Sequence, residues 1–240
     1  MPIILAIETS SELASCALFN SDATPAAVLA HESSGVRTHS QSVLPMVQEL
    51  LREAGIRLAD CDAIAFGAGP GSFTGVRTAC GVAQGLAFGA DLPVLPMVTL
   101  EAMAEACRAA TGATEVLAVL DARMGEVYWA QYRYLGGAWL EVSAPALCAP
   151  QDVAPLPAEG LAACGNGFTA YPEAFAGKDF AAHALGGVLP HARELAVLGV
   201  GALAAGHAVP ADQAQPIYLR NKVAYTSAER QAINAAKAAG

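Results

Sequence analysis

The sequence predicts an α/β protein made of two duplicated lobes, each with the element order βββαβαβα. Short apolar runs typical of strands alternate with longer segments whose apolar residues recur at helical spacing. The second half repeats the plan of the first, since an apolar strand ends in an acid and a small residue at Glu8-Thr9 and again at Asp121-Ala122. Of the 240 residues, 54% are hydrophobic and 15% are charged, so the chain can bury a core and is not intrinsically disordered.

The first lobe is predicted to span residues 1–110. Its strands are short apolar runs bounded by polar turns, and its helices have apolar stripes or a composition rich in alanine and glycine. Gly55 is expected to end the first helix, and Thr99 is expected to cap the third. The predicted strands are Ile3–Glu8, Ser15–Asn20, Ala26–Glu32, Cys61–Gly67 and Pro93–Val98, and the predicted helices are Ser42–Ala54, Gly75–Gly89 and Leu100–Ala110.

The second lobe is predicted to span residues 111–220 and to be less regular. Residues 148–180 contain many prolines, glycines and alanines and show little periodicity. Residues 221–240 form a polar, alanine-rich tail that is either a marginal helix or a frayed end. The predicted strands are Glu115–Asp121, Glu126–Tyr134, Ala138–Ala144 and Leu161–Cys164, with a degenerate helix at Gln151–Leu156 and a long helix at Pro190–Gly206.

Charge and composition exclude several classes of function. The net charge of −9 would repel a phosphate backbone, so any contact with nucleic acid requires a basic partner. Six cysteines without a CxxC pair favour buried thiols in a reducing cytoplasm over a zinc cage or a redox dithiol. The apolar start has no basic region before it, and Leu195–Gly206 is shorter than the roughly 18–20 residues that cross a bilayer. These features predict a cytoplasmic protein without membrane contact.

A glycine-rich turn between a predicted strand and a predicted helix is the most informative segment. Its backbone amides and the helix N-terminus suit an anion, but the segment has neither the lysine of a P-loop nor a complete dinucleotide-binding pattern. The alternative is that the glycines serve a tight turn and close helix packing, with Ser72 or Thr74 as the N-cap. Arg77 is expected to pair with a carboxylate rather than with phosphate. The loop comprises Gly69, Pro70, Gly71, Ser72, Phe73, Thr74, Gly75 and Arg77.

Other polar features each have two interpretations. The turn Glu8, Thr9 and Ser10 is either a vestigial nucleotide turn or an ordinary polar turn. The segment from Asp121 to Glu126 is either an active-site turn or a hairpin tip with a local ion pair. The histidines form no i, i+4 pair and no GxSxG motif occurs, so the sequence predicts no metal site and no hydrolase elbow.

Two predicted helices have apolar faces that indicate either an ordinary core or a partner surface. The helix at residues 42–54 has a wide stripe, and the helix at residues 75–89 is rich in small residues that let another helix approach closely. The candidate interface residues are Val43, Leu44, Met46, Val47, Leu50, Leu51, Ala79 and Ala83.

Five separated stretches together resemble the TsaB family, also called YeaZ. They cover nearly the whole chain to about residue 230, and the glycine-rich stretch is the most specific. The stretches are Ile4–Ser10, His39–Pro45, Gly69–Arg77, Val119–Arg123 with Glu126–Tyr128, and Pro216–Arg220.

This resemblance implies an actin-like (ASKHA) ATPase fold and a non-catalytic subunit that binds no cofactor. In the family, the catalytic relative TsaD transfers a threonylcarbamoyl group to the N6 amine of the adenosine beside the tRNA anticodon, and the small ATPase TsaE assists. The resemblance places the partner surface on the first-lobe helices, which would bind TsaD, or a second copy when the chain is alone, with tRNA reached only through the complex. The alternative function is a nucleotide-binding or metallopeptidase-like enzyme of the same fold.

Overall fold

A computed structural model describes residues 2–20, 27–34 and 38–220. It consists of two β-sheets, each covered by helices. The strands are β1 (Ile3–Glu8), β2 (Ala14–Asn20), β3 (Ala27–Ser33), β4 (Ala63–Gly69), β5 (Val94–Val98), β6 (Glu115–Arg123), β7 (Glu126–Leu135), β8 (Ala138–Cys148) and β9 (Ala162–Cys164). The helices are α1 (His39–Ala54), α2 (Phe73–Ala90), α3 (Thr99–Thr111), α4 (Gly167–Ala170), α5 (Pro172–Phe175) and α6 (Ala192–Ala204).

The two sheets share one topology. The first has the order β3-β2-β1-β4-β5, and the second has the order β8-β7-β6-β9, which is the same pattern without a fifth strand among the described residues. In each sheet the first three strands are antiparallel, and the fourth runs parallel to the first. The predicted α/β fold of two duplicated lobes is therefore confirmed.

The lobes exchange helices, which corrects the predicted domain boundaries. Although α3 follows the first sheet in the chain, its residues Leu100, Met103 and Cys107 share a core cluster with Val116 on β6. In return, α6 packs against the first sheet, where Leu195 joins a cluster with β1 and β4. A division into 1–110 and 111–220 therefore separates the sheets but assigns both helices to the wrong lobe. The predicted tail, residues 221–240, lies outside the described residues.

Helices in the first lobe begin earlier than periodicity predicted, because polar caps extend them. Thr38 and Gln41 form a capping box that starts α1 three residues before Ser42. The Ser72 hydroxyl accepts a hydrogen bond from the Gly75 amide and starts α2, which confirms Ser72 as the cap. The prediction that Thr99 caps the third helix was wrong: it is the first residue of α3, and its hydroxyl donates to the Pro70 carbonyl at 2.5 Å.

The second lobe departs most from the prediction. The degenerate helix expected at Gln151–Leu156 is only a short 3-10 turn at Pro150–Asp152, and β8 extends to Cys148 instead of ending at residue 144. The long helix is shorter at both ends than predicted, because His191 caps α6 at its start. All six cysteines are free, and five of them are buried, as the sequence indicated.

Candidate functional site

A cavity of about 370 Å³ lies between the two lobes. We call it the interlobe cavity. It brings together three features predicted separately from the sequence: the turn after β1, the glycine-rich loop and the β6–β7 turn. Its lining comprises Ser10, Ser11, Glu12, Gly71, Ser72, Phe73, Leu120, Asp121, Ala122, Arg123, Met124, Tyr128, Asn166, Ile217, Tyr218, Leu219 and Arg220.

The glycines of the loop permit close packing against the turn after β1. A Cβ atom on Gly75 would lie 2.9 Å from the carbonyl carbon of Thr9 and would overlap its oxygen. A Cβ on Gly71 would lie 2.6 Å from the Ser10 side chain. The Thr9 hydroxyl donates to the Gly75 carbonyl, and the Ser72 amide donates to the Ser10 carbonyl, both at 2.7 Å. The backbones therefore approach more closely than any residue with a side chain would allow.

The same contacts use amides that an anion would need. The Ser72 amide is directed to Ser10, and the Gly75 amide is directed to the Ser72 hydroxyl at 3.3 Å. Gly69 has a φ of 115°, and a Cβ there would lie 2.8 Å from the Ile217 carbonyl oxygen. This geometry favours the tight-turn interpretation of the loop over the anion-binding one.

Glu8 and Thr9 are completely buried and do not line the interlobe cavity. One carboxylate oxygen of Glu8 accepts a hydrogen bond from the Ser10 amide, and the other has no partner. Loss of solvation by burial raises the pKa of Glu8 to about 7. Gly67 is required beside it, because a Cβ at that position would overlap the carboxylate. The predicted nucleotide turn is thus packed beneath the glycine loop, and only Ser10 faces the cavity.

Arg77 stacks on aromatic rings, so the expected ion pair was wrong. Its guanidinium carbon lies 3.2 Å from the ring centroid of Phe73 and 4.9 Å from that of Tyr218. Among the residues described, no carboxylate pairs with it. Phe73 and Tyr218 also contact each other, with centroids 6.0 Å apart. The aromatic tip of the glycine loop therefore packs within the chain.

Residues 214–220, which we call the strap, contribute four residues, 217–220, to the lining of the interlobe cavity. The Ile217 amide donates to the Ala68 carbonyl at 2.7 Å, which attaches the strap to β4. Arg220 at the other end donates to the Ala122 carbonyl at 2.8 Å and to the Glu126 carboxylate at 2.5 Å. The strap thereby connects the glycine loop to the second lobe. The sequence analysis identified this stretch only through its resemblance to the family. Its bridging role was not predicted, because it depends on contacts between residues that are distant in the chain.

The β6–β7 turn is a hairpin tip with a local ion pair, the second interpretation offered above. Arg123 pairs with Asp121 at 3.1 Å and reaches Glu12 of the first lobe at 3.6 Å. Arg123 and Met124 both have a φ of 60°, a left-handed conformation that costs residues other than glycine about 1–3 kcal/mol each. Arg220 supports this turn through the Arg123 carbonyl at 3.2 Å. Both arginines of the cavity are therefore neutralised by carboxylates.

Most of the predicted interface residues belong to the core. Leu44 is 51% exposed, and Met46 and Leu51 are half-buried against the first sheet. The prediction was wrong for the other five, because the apolar stripe of α1 and the alanines of α2 cover the sheet of their own lobe. These buried residues are Val43, Val47, Leu50, Ala79 and Ala83.

The outer face of α2 carries glycines of the small-residue-rich helix noted in the sequence, beside an exposed aromatic residue that the sequence analysis did not single out. Gly81, Gly85 and Gly89 recur every four residues, and no atom of the part of the chain that the structure describes lies within 4 Å of a Cβ built on any of them. Beside them Phe88 is 85% exposed. We call these four residues the α2 ridge. The i, i+4 spacing of the glycines is visible in the sequence and was the available signal.

The described part of the chain contains neither a metal-binding cluster nor a membrane-spanning helix. Within residues 2–20, 27–34 and 38–220, no group of three histidine, cysteine or acidic side chains is placed to hold a metal ion. In those same ranges, no helix has the length and apolar character needed to span a bilayer.

Comparison with protein families gives one match over most of the chain. Residues 27–233 match the family model of TsaD, tRNA N6-adenosine threonylcarbamoyltransferase. The chain is 43% identical over 229 residues to the tRNA threonylcarbamoyladenosine biosynthesis protein TsaB of Escherichia coli K12, covering 92% of this chain and 96% of the relative. It is 40% identical over 232 residues to the protein of the same name in Haemophilus influenzae, covering 92% and 95%.

Two solved structures from Pseudomonas aeruginosa are also similar. One is YeaZ, which is 41% identical with a TM-score of 0.82 and covers 91% of this chain and 100% of its own. The other, an uncharacterised protein with similarity to peptidase YeaZ, is 41% identical with a TM-score of 0.83, covering 92% and 100%.

Proposed function

This chain belongs to the TsaB (YeaZ) family, and from that membership we propose that it is a non-catalytic subunit required for threonylcarbamoyladenosine formation in tRNA. It acts by binding and activating a catalytic subunit of the TsaD type, together with the ATPase TsaE. The transfer of threonylcarbamoyl to the N6 amine takes place on the catalytic partner. Relatives that match over more than nine-tenths of both chains carry the biosynthetic name, which supports the general role.

The match to the TsaD family model supports pairing between related folds. A chain that shares a fold with its catalytic partner can use one surface for that partner and, in its absence, for a second copy of itself. We propose that this surface is the outer side of α1 and α2, with Leu44 and the α2 ridge at its centre. The five buried residues that the sequence analysis placed at the interface lie beneath this surface, in the core of the first lobe.

The α2 ridge is the observation that carries this proposal. Glycine inside a helix costs about 0.8–1.0 kcal/mol relative to alanine, and no contact among the described residues requires the three glycines of the ridge. Phe88 adds a large aromatic side chain that is 85% exposed. Small residues beside an exposed aromatic let a partner helix approach closely and bury the ring. The ridge thus fits a helix-to-helix interface with another chain.

Gly85→Leu tests the proposed surface. We expect the isolated variant to fold normally and to gain about 1 kcal/mol of unfolding free energy, because leucine is a better helix former than glycine. Its affinity for TsaD, measured by calorimetry, is expected to fall at least about tenfold, since the side chain fills the space that the partner helix needs. Gly201→Leu on α6 is the matched control, because Gly201 is also helical and exposed with nothing nearby. Unchanged TsaD affinity in Gly85→Leu, or equal losses in both variants, would contradict the proposed surface.

Reconstitution tests the role itself. Modification of tRNA by TsaD and TsaE is expected to need this chain, and the chain alone is expected to produce no modified nucleoside. If TsaD and TsaE work equally well without it, the proposed role fails. Turnover or tight nucleotide binding by the purified chain alone would instead favour the alternative, an enzyme that uses the interlobe cavity.

Cysteine chemistry and charge support a location and a division of labour. The six free cysteines suit the reducing cytoplasm. With a net charge of −9, the chain contacts tRNA only through the complex, in which its partners supply the basic surface. A basic surface elsewhere in the assembly would supply the salt-dependent part of tRNA affinity. We therefore expect that the isolated chain has no measurable affinity for tRNA.

A further inference from the structure

A groove of about 590 Å³ lies on the surface of the first lobe, between the C-terminal end of α2 and residues 208–212. We call it the α2 groove. Val94 of β5 and Val209 exchange backbone hydrogen bonds at 2.9 and 2.8 Å, which attach the 208–212 segment to the edge of the first sheet. Both walls of the groove are therefore held in place by regular backbone hydrogen bonds.

Most of the lining of the α2 groove is apolar. Phe88 lies in it and is 85% exposed, the largest exposed fraction among the large hydrophobic residues that the structure describes. Because Phe88 also belongs to the α2 ridge, the groove continues the surface proposed above for the partner. An exposed apolar surface of this kind is typical of an interaction site. The other apolar lining residues include Ala87, Leu92, Pro93, Val209 and Ala211.

The charged residues of this lining are both acidic. Asp91 and Asp212 are exposed, and among the described residues neither carboxylate has a hydrogen-bond or ion-pair partner. Asp91 also ends α2, where the unpaired carbonyl groups give the helix a partial negative charge. The groove is therefore an apolar surface with an uncompensated negative edge, and a positively charged side chain would complement it.

Arginine fits these features better than lysine. A planar guanidinium can stack on the exposed ring of Phe88 and donate two hydrogen bonds to one carboxylate, whereas the lysine ammonium is a compact, strongly hydrated charge. The methylene stem of an arginine would cover the apolar lining. The chain already contains one such stack, since the guanidinium carbon of Arg77 lies 3.2 Å from the ring centroid of Phe73.

A second copy of this chain is a poor source of that arginine. The arginines of α1 and α2, the helices of the proposed surface, are Arg52 and Arg77. Arg52 is paired with Glu49 at 2.6 Å, and Arg77 is stacked on Phe73. The proposed function instead assigns the basic surface of the complex to the catalytic partner, because this chain has a net charge of −9.

We infer that the α2 groove binds an arginine side chain of the catalytic subunit, which stacks on Phe88 and pairs with Asp91 and Asp212. This inference rests on the proposed function. It adds a charged anchor to the helix contact at the α2 ridge and identifies the chemistry of the partner residue.

Calorimetry of the full chain with TsaD tests the anchor. Asp91→Asn and Asp212→Asn are each expected to weaken the complex about threefold, and the double variant about tenfold, because the amide keeps the shape and removes the charge. Added sodium chloride is expected to weaken the parent complex more than that of the double variant, since salt screens the same attraction. The matched control is Asp152→Asn, at an exposed aspartate of a 3-10 turn in the second lobe, which is expected to leave the affinity unchanged.

Urea unfolding of the isolated variants separates an anchor from a structural role. Asp91→Asn is expected to keep or raise the urea midpoint, because asparagine also adopts the left-handed conformation of this residue, whose φ is 55°, and removes a negative charge from the helix C-terminus. Asp212→Asn is expected to keep the midpoint of the parent. Weaker complexes that come with lower midpoints in both variants would be structural effects and would overturn the inference.

Failure of the groove and failure of the proposed function give different results. If Gly85→Leu weakens the complex with TsaD and the double aspartate variant does not, the α2 ridge stands and the groove inference is overturned. If the double variant weakens only self-association, the occupant is a second copy, which also overturns it. The absence of any complex with TsaD would overturn the proposed function and the groove inference together.

Discussion

Gly75→Ala is expected to destabilise the protein by about 4 kcal/mol or more, whereas Gly81→Ala in the same helix is expected to stabilise it by about 1 kcal/mol. At position 75 the added methyl group meets the backbone of Thr9, which has no flexible side chain to move aside. The loop must separate from the turn after β1 and lose the hydrogen bonds that join them. At position 81 the methyl group enters open space and reduces the conformational entropy of the unfolded chain.

Urea unfolding of the two variants at one pH measures both effects. Because the substitution and the helix are the same, intrinsic helix propensity cancels and the difference isolates the close approach of the backbones. If Gly75→Ala is too unstable to purify, Gly71→Ala provides the same comparison at a second contact of the loop, where the methyl group meets Ser10. Nearly equal stabilities for Gly75→Ala and Gly81→Ala would contradict the packing role assigned to the loop.

Glu8→Gln is expected to change how stability depends on pH. The folded protein holds the Glu8 proton up to a pH of about 7, whereas the unfolded chain releases it near its ordinary pKa of 4.5. Between these values the folded state binds more protons, so the free energy of unfolding falls as pH rises and stays low above 7. For a shift of this size the fall is on the order of 3 kcal/mol. Glutamine never ionises, and its amide oxygen can still accept the hydrogen bond from Ser10.

Unfolding by denaturant at pH 5 and at pH 8 measures this difference. The variant is expected to lose less stability than the parent between the two values and to be the more stable protein at pH 8. Glu101, whose pKa is also raised to about 7, contributes a second fall in the same window. Glu101→Gln should therefore remove the part of the fall in unfolding free energy that Glu101 causes. The double variant Glu8→Gln, Glu101→Gln should have the unfolding free energy that depends least on pH. Parallel profiles for the parent and Glu8→Gln would show that the buried carboxyl does not control this dependence.

Local patterns predicted the elements of the fold well. All nine strands of the described residues correspond to predicted strands, because alternation and apolar runs are properties of neighbouring residues. The helix starts were less accurate, since the caps at Thr38 and Ser72 lie outside the apolar stripes. The duplicated plan was visible in the repeated strand-turn-strand openings. The exchange of α3 and α6 between the lobes was not, because it depends on which sheet each helix packs against.

Candidate site residues were predicted less well, because a side chain's role depends on distant contacts. Arg77 was expected to pair with an acid, but it stacks on Phe73 and on Tyr218, which is far along the chain. The apolar stripe of α1 was identified correctly, but the expectation that a partner chain covers it was wrong. The sheet of its own lobe covers Val43, Val47 and Leu50. Amphipathicity shows that a face is buried but does not identify what buries it.

Periodicity, turn residues and short motifs are local, so the amino-acid sequence was enough to predict the strands, the two-lobed class and the family. The packing of the glycine loop on Thr9 and Ser10, the burial of Glu8 beneath it and the bridging of the lobes by the strap became visible in the folded structure. The folded structure also shows which residues of α2 remain on the surface. The physical reason is that burial, close backbone approach and pKa shifts arise from atoms brought together by the fold, and their spacing along the chain does not encode them directly.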